Sequence, residues 1–206
     1  ETLPNAKKRI SFLPTPKMST YLLAFCVGEF EFIQRSMEAG PMVRVLCCPG
    51  KTRLCSFALD VAVRTLEFYN NFFGVSYPLP KLDLIAIPDF PIGAMENWGL
   101  VTYREASLLL DEAVASSVVK RHACTIITHE LAHMWFGNLV TPAWWDDLWL
   151  KEGFANWMQT FCADHLFPDW GIWESYVQME QDRALMLDAL RSSHPIEVPI
   201  AKGEEV

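Results

Sequence analysis

No stretch of the 206 residues approaches the roughly 20 uncharged apolar residues that a membrane-spanning helix needs, so no transmembrane segment is expected. Positive charge is also scarce. Seventeen Lys and Arg against 25 Asp and Glu leave a net charge of −8, with no basic stripe to neutralise phosphates, and no nucleic-acid partner is expected. The six cysteines follow no disulfide-framework spacing, and Cys47, Cys48 and Cys55 have no second Cys or His pair to complete a metal cluster. Cys124 and Cys162 fall in helical patterns and read as small core hydrophobes. No Asn-x-Ser/Thr sequon occurs, and together with the unpaired thiols this makes a cytoplasmic location the expectation. The opening ETLPNAKKRI has neither an initiator Met nor the apolar centre of a signal peptide, so the expectation is either that something upstream was removed or that the chain is a piece of a longer protein. What is plentiful is apolar surface: 51% hydrophobic and 13% aromatic residues suffice for a substantial core.

Residues 20–46 read as strands, with a turn at Gly40-Pro41. They are too few to enclose a core, so residues 1–49 are expected to end a β-rich domain that began upstream, and 50–206 to form the next domain. SFALDVAVRTLEFYNNFFG has helical spacing with a stop at Gly74; LDLIAI at 82–87 reads as a buried strand; a Pro/Gly-punctuated loop at 88–99 leads into LVTYRE, another strand. Ser116 or Ser117 can cap a helix running to about Phe136, with Gly137-Asn138 as its stop. Further helices are expected from Asp146 and over 171–190. Strands followed by helices imply an α+β catalytic unit.

THELAHMWFGNL, residues 128–139, places two histidines and a glutamate in a mostly apolar run. On a helix His129 and His133 differ by one turn, so both rings leave the same face about 6 Å apart. That reach suits two nitrogens meeting one zinc ion at about 2.0–2.1 Å. Glu130 lies about 100° around the helix, placed to reach a water near the metal without filling the coordination sphere. H-E-x-x-H occurs in about one random chain in a hundred of this composition, so its context has to decide. A catalytic zinc needs a third protein ligand and an open fourth position. Position 139, where one zincin class has histidine, is Leu. Asp146 and Asp147 are accounted for by N-capping of the next helix. Glu152 shares a helix face with Leu148, Trp149 and Ala155, where a carboxylate is costly without a compensating cation. Zinc would compensate it; the alternative is a partly exposed Glu beside Lys151. His122 lies seven residues, about 10 Å of helix rise, before His129, too far to share the ion, and His165 and His194 read as surface or turn residues.

HELAH followed by Glu152 in WLKEGFANW and preceded by GAMENWG at 93–99 resembles the gluzincin zinc aminopeptidases. PKMSTYLLAFCVGEF, YPLPKLDLIAIPDF and SHPIEV resemble their puromycin-sensitive branch. The likeness runs from about Met18 to Val206, with three separated motifs in order. It implies a thermolysin-like catalytic domain, a mixed sheet with helices carrying the ligands, following a β-rich domain. It implies one zinc ion held by His129, His133 and Glu152, with Glu130 as general base. Glu96 would bind the free α-ammonium of a peptide substrate, with Gly93, Ala94, Met95 and Asn97 lining the site beside it. One carboxylate opposing an ammonium lets an exopeptidase measure from a chain end, because an internal peptide leaves it unpaired. Gly93 and Gly99 permit close backbone approach there.

The family's transition-state tyrosine would lie past Val206, and a further amino-terminus-binding residue before Glu1, in flanking domains outside these residues. Neither Tyr103 nor Tyr176 stands in the matching motif. The rival readings are an endopeptidase of the same clan, disfavoured by Glu96, and a catalytically impaired peptide-binding module with a structural zinc, disfavoured by only three candidate ligands. An epoxide-hydrolysing relative typically has Gly where this loop has Ala94.

Overall fold

The computed structural model describes residues 7–38 and 40–202. Five strands, β1 (Glu31–Ser36), β2 (Met42–Cys47), β3 (Lys81–Ile87), β4 (Ala94–Met95) and β5 (Leu100–Arg104), form one mixed sheet in the order β1-β2-β3-β5-β4. β1 and β4 pair antiparallel with β2 and β5, while β2–β3 and β3–β5 are parallel. A parallel pair requires a long crossover. Here it is α1 (Ser56–Phe73), whose apolar face buries Phe57, Val61, Leu66 and Tyr69 and which ends at Gly74 with φ 63°, a left-handed stop that costs glycine nothing.

Four more helices follow the sheet: α2 (Glu105–Leu108), α3 (Ser117–Ala132), α4 (Leu148–Leu166) and α5 (Ile172–Tyr176); a π-helical turn at Val177–Gln181 then leads into α6 (Asp182–Asp188). None of the described helices is long and apolar enough to cross a membrane. The Ser116 side chain caps α3, accepting the Val119 N–H at 3.3 Å, and so removes one of the helix's orphan donors.

Three sequence expectations change. Residues 23–30 form no strand: Leu23, Phe25 and Val27 alternate outward, but the segment finds no ladder partner among the described residues, and β1 starts only at Glu31. The boundary expected at residue 49 falls between β2 and α1, inside one βαβ unit. Val43 pairs with Leu82 and Val45 with Leu84, so residues 31–47 share a sheet with the strands that follow. Asp146 does not cap α4; its carboxylate accepts the Ile200 N–H at 2.6 Å, and α4 has no side-chain cap.

Helices α1, α3 and α4 meet at Tyr69. Its buried hydroxyl lies 2.9 Å from the carbonyl of Thr128 on α3 and 3.1 Å from that of Met158 on α4 and donates to both. Thr128 directly precedes His129, so this contact sets the depth of the histidine-bearing helix. Tyr69→Phe deprives two buried carbonyls of their shared donor and is expected to destabilise the fold by about 1–3 kcal/mol, read as a lower urea midpoint; an unchanged midpoint would refute the role.

Candidate metal centre

The centre lies where the last turn of α3 meets the second turn of α4. His129 and His133 emerge one turn apart with rings 4.6 Å between centroids, and their Nε2 atoms are 3.1 Å from each other. Glu152 Oε2 lies 3.4 Å from His129 Nε2 and 3.5 Å from His133 Nε2. Three donors bound tetrahedrally at about 2.0–2.1 Å would be separated by about 3.3 Å, and the observed triangle has that size. The His133 Nδ1–H donates to the Phe136 carbonyl at 3.0 Å, which leaves the Nε2 lone pair facing the centre. That bond also accompanies the end of α3 at Ala132, four residues before the expected Phe136, and the chain then turns through Gly137 at φ 118°.

Glu152 is not buried as expected: its side chain is 44% exposed, so the apolar-face argument for it does not hold. What marks it out is convergence. Burial would raise its pKa, but hydrogen bonds from His129 and His133, and the charges of His133 and Lys151, hold its carboxyl well below the ordinary range. His122, His165 and His194 are all exposed and away from the centre, His165 stacking on Phe68 with ring centroids 4.5 Å apart.

Glu130 is buried, with its pKa pushed up to about 8 by burial, which outweighs the lowering by His129; Glu96 and Glu152 add to the rise. A carboxylate oxygen of Glu130, one of Glu96 and a ring nitrogen of His133 lie within 4.8 Å of one another. This second set could itself hold a cation, but Glu96 already has one: Lys151 Nζ is 2.5 Å from Glu96 Oε1. The His129–His133–Glu152 set therefore fits zinc better, offering two imidazoles and a carboxylate.

The 93–99 loop reaches the centre as a sheet edge. Ala94 pairs with Tyr103 and Met95 with Thr102, leaving β4 last in the strand order. Gly93 is exposed, Ala94 and Met95 are half-buried, and Glu96 is buried. Asn138, just past the zinc-motif helix, donates through Nδ2 to the Glu96 carbonyl at 3.1 Å and ties the loop to it. Asn97 turns inward: it accepts the Thr102 hydroxyl at 2.9 Å and donates to the Leu22 carbonyl at 3.3 Å, so it braces the loop instead of lining the site. Tyr103 is fully buried, and burial and then the Glu130 charge raise its pKa well above the ordinary value.

A family model described as the peptidase family M1 domain matches residues 57–206. The chain belongs to peptidase family M1. Among M1 relatives, all 206 or nearly all residues align with puromycin-sensitive aminopeptidase of Caenorhabditis elegans at 49% identity, and with alanine/arginine aminopeptidase (49%) and mitochondrial aminopeptidase 2 (48%) of Saccharomyces cerevisiae. The alignments cover 100% of this chain and 22%, 24% and 22% of those proteins, so it spans about a quarter of the length of its M1 relatives.

Two residues beside this centre carry little signal in the sequence. Lys151 reads there only as a neighbour of Glu152, yet it is buried with its ammonium between two carboxylates. Tyr21 presents its ring to that ammonium, 5.3 Å from the centroid. A lysine set among Leu148, Trp149, Leu150 and Phe154 at a helix start is the one local signal that could have marked it.

Proposed function

We propose that this chain carries the catalytic centre of a zinc-dependent aminopeptidase, a thermolysin-like unit that removes residues from the amino-terminal end of peptides. The observation that carries the reading is the convergence of the His129–His133–Glu152 triangle with a buried Glu130 and a buried Glu96 around His133. The names of the relatives, all aminopeptidases, support the same reaction.

His129, His133 and Glu152 would hold the zinc. When bound, the ion supplies Lewis acidity and makes water acidic enough to attack a carbonyl at neutral pH. Glu130 takes the proton of the attacking water and delivers it to the departing amine. Edge strand β4 offers main-chain groups for pairing with an extended peptide. Glu96 opposes the α-ammonium and sets the register at the first peptide bond, with Gly93, Ala94 and Met95 alongside. Free thiols at all six cysteines support a cytoplasmic setting, although one relative is named as mitochondrial.

The ion pair between Glu96 and Lys151 is the observation that favours an endopeptidase instead, since a satisfied Glu96 has less need of an ammonium. Comparing a peptide with its N-acetylated form separates the two. An aminopeptidase cleaves only the free form, and Glu96→Ala is expected to cut the preference for the free form by about 10–100-fold, the worth of a charge-assisted hydrogen bond. Equal cleavage of both forms by the unaltered protein would overturn the aminopeptidase reading.

A further inference from the structure

Lys151 carries a buried cation in a place the proposed reaction needs for another one. Its side chain is 6% exposed, and its Nζ lies 2.5 Å from Glu96 Oε1 and 3.0 Å from Glu152 Oε1. The Tyr21 ring closes a third side, with its centroid 5.3 Å away. These groups make a cage for one ammonium: two carboxylates for charge and an aromatic face for the remaining surface. The stem is seated as firmly as the head. A Cβ at Gly137 would stand 2.8 Å from Lys151 Cε, 3.0 Å from Cδ and 3.1 Å from Cγ, so the lysine lies flush on a backbone that only glycine leaves open. Gly137 itself has φ 118°, a second reason for glycine at that position.

We infer that Lys151 is a specificity-determining residue whose own ammonium competes with the peptide's amino terminus for Glu96. This rests on the reading of Glu96 as the amino-terminal site. Two ammonium groups on one buried carboxylate repel each other with little screening, so the peptide amino terminus binds Glu96 less tightly while Lys151 is seated against its Oε1. Peptide binding is therefore favoured when Lys151 withdraws. The structure provides somewhere to go: Lys151 also lines an open cleft of about 330 Å³ together with Tyr21, Thr141, Trp144, Trp145 and Leu148. The Tyr21 and Trp145 rings, 5.2 Å apart at its wall, offer aromatic faces to a displaced cation. Glu152 keeps its zinc-facing oxygen throughout, because Lys151 contacts Oε1 while both histidines face Oε2.

The competition has a measurable size. Apparent affinity falls by the fraction of molecules with Glu96 free, so a lysine seated there about nine-tenths of the time weakens amino-terminal binding about tenfold. The test is calorimetric binding of L-leucinol and N-acetyl-leucinol, of which only the first carries an ammonium, to the full-length protein with and without zinc. Lys151→Met keeps the stem on Gly137 and removes the charge; Lys151→Gln is a second neutral variant should Met misfold. Both are expected to bind leucinol about tenfold or more tightly than the unaltered protein, with N-acetyl-leucinol unchanged. Kinetically the gain should fall on KM for free peptides, with kcat little altered. Leucinol affinity that stays level or drops in both variants would overturn the inference and make Lys151 a brace for Glu96. Leucinol binding that is indifferent to Glu96→Gln would instead remove Glu96 as the amino-terminal site, and the competition with it.

Discussion

Glu130→Gln in the full-length protein is expected to keep one zinc per chain and to lose about 10²–10⁴ in turnover. Glutamine has the shape of the buried glutamate and bears no charge, so it does not incur the burial penalty that raises Glu130 to about 8. His129, His133 and Glu152 are untouched, so the ion stays. What disappears is the proton acceptor beside them, a carboxylate oxygen within 4.8 Å of a His133 ring nitrogen. Metal analysis and steady-state hydrolysis of an aminoacyl-amide check both halves. A variant with full zinc and undiminished turnover would exclude Glu130 as the base; one that lost its zinc would move Glu130 into the ligand set.

Glu152→Ala is expected to empty the centre of metal. It takes away one of three donors and leaves two imidazoles 3.1 Å apart at Nε2 with no anion to offset the ion's charge. Zinc affinity should fall by more than the roughly 10–100-fold that loss of a single outer-shell partner costs. Dialysis against limiting chelator followed by metal analysis reads this directly. The change also frees Lys151 from one of its two carboxylates without touching its stronger contact, to Glu96, so the fold around α4 should survive. Retention of zinc by Glu152→Ala would point to the second set, Glu96, Glu130 and His133, as the true holder.

Much of the scaffold was legible because its signals are local. Ser116 as a cap, Gly74 as a stop, the buried run at 82–87 and the one-turn spacing of His129 and His133 each act within a few residues, and each stands in the structure as read. Expectations failed where the outcome depended on a distant partner. The alternation at 23–30 was real, but a strand exists only when another strand pairs with it. The boundary at residue 49 rested on counting residues for a core, and parallel pairing of β2 with β3 across α1 supplied that core instead. Asp146 has the chemistry of a cap, and a backbone N–H 54 residues away took its oxygen.

Glu152 is the instructive case: the apolar face that singles it out in the sequence leaves it half exposed in the structure, and its marker is the approach of two rings from another helix. Lys151 shows the reverse. Beside a glutamate in the sequence it reads as an ordinary surface pair; packed on Gly137 and set against Glu96, 55 residues earlier, it becomes the cation nearest the proposed amino-terminal site.

By itself the sequence determined which side chains are available and which lie one helical turn apart, since backbone geometry converts spacing into direction without help from the rest of the chain. Only the tertiary structure decided which charges meet. Burial and pairing of Glu96, Glu130, Lys151 and Glu152 depend on loops and helices brought together by the common core, and electrostatic strength is set by that enclosure, which no local stretch of residues encodes.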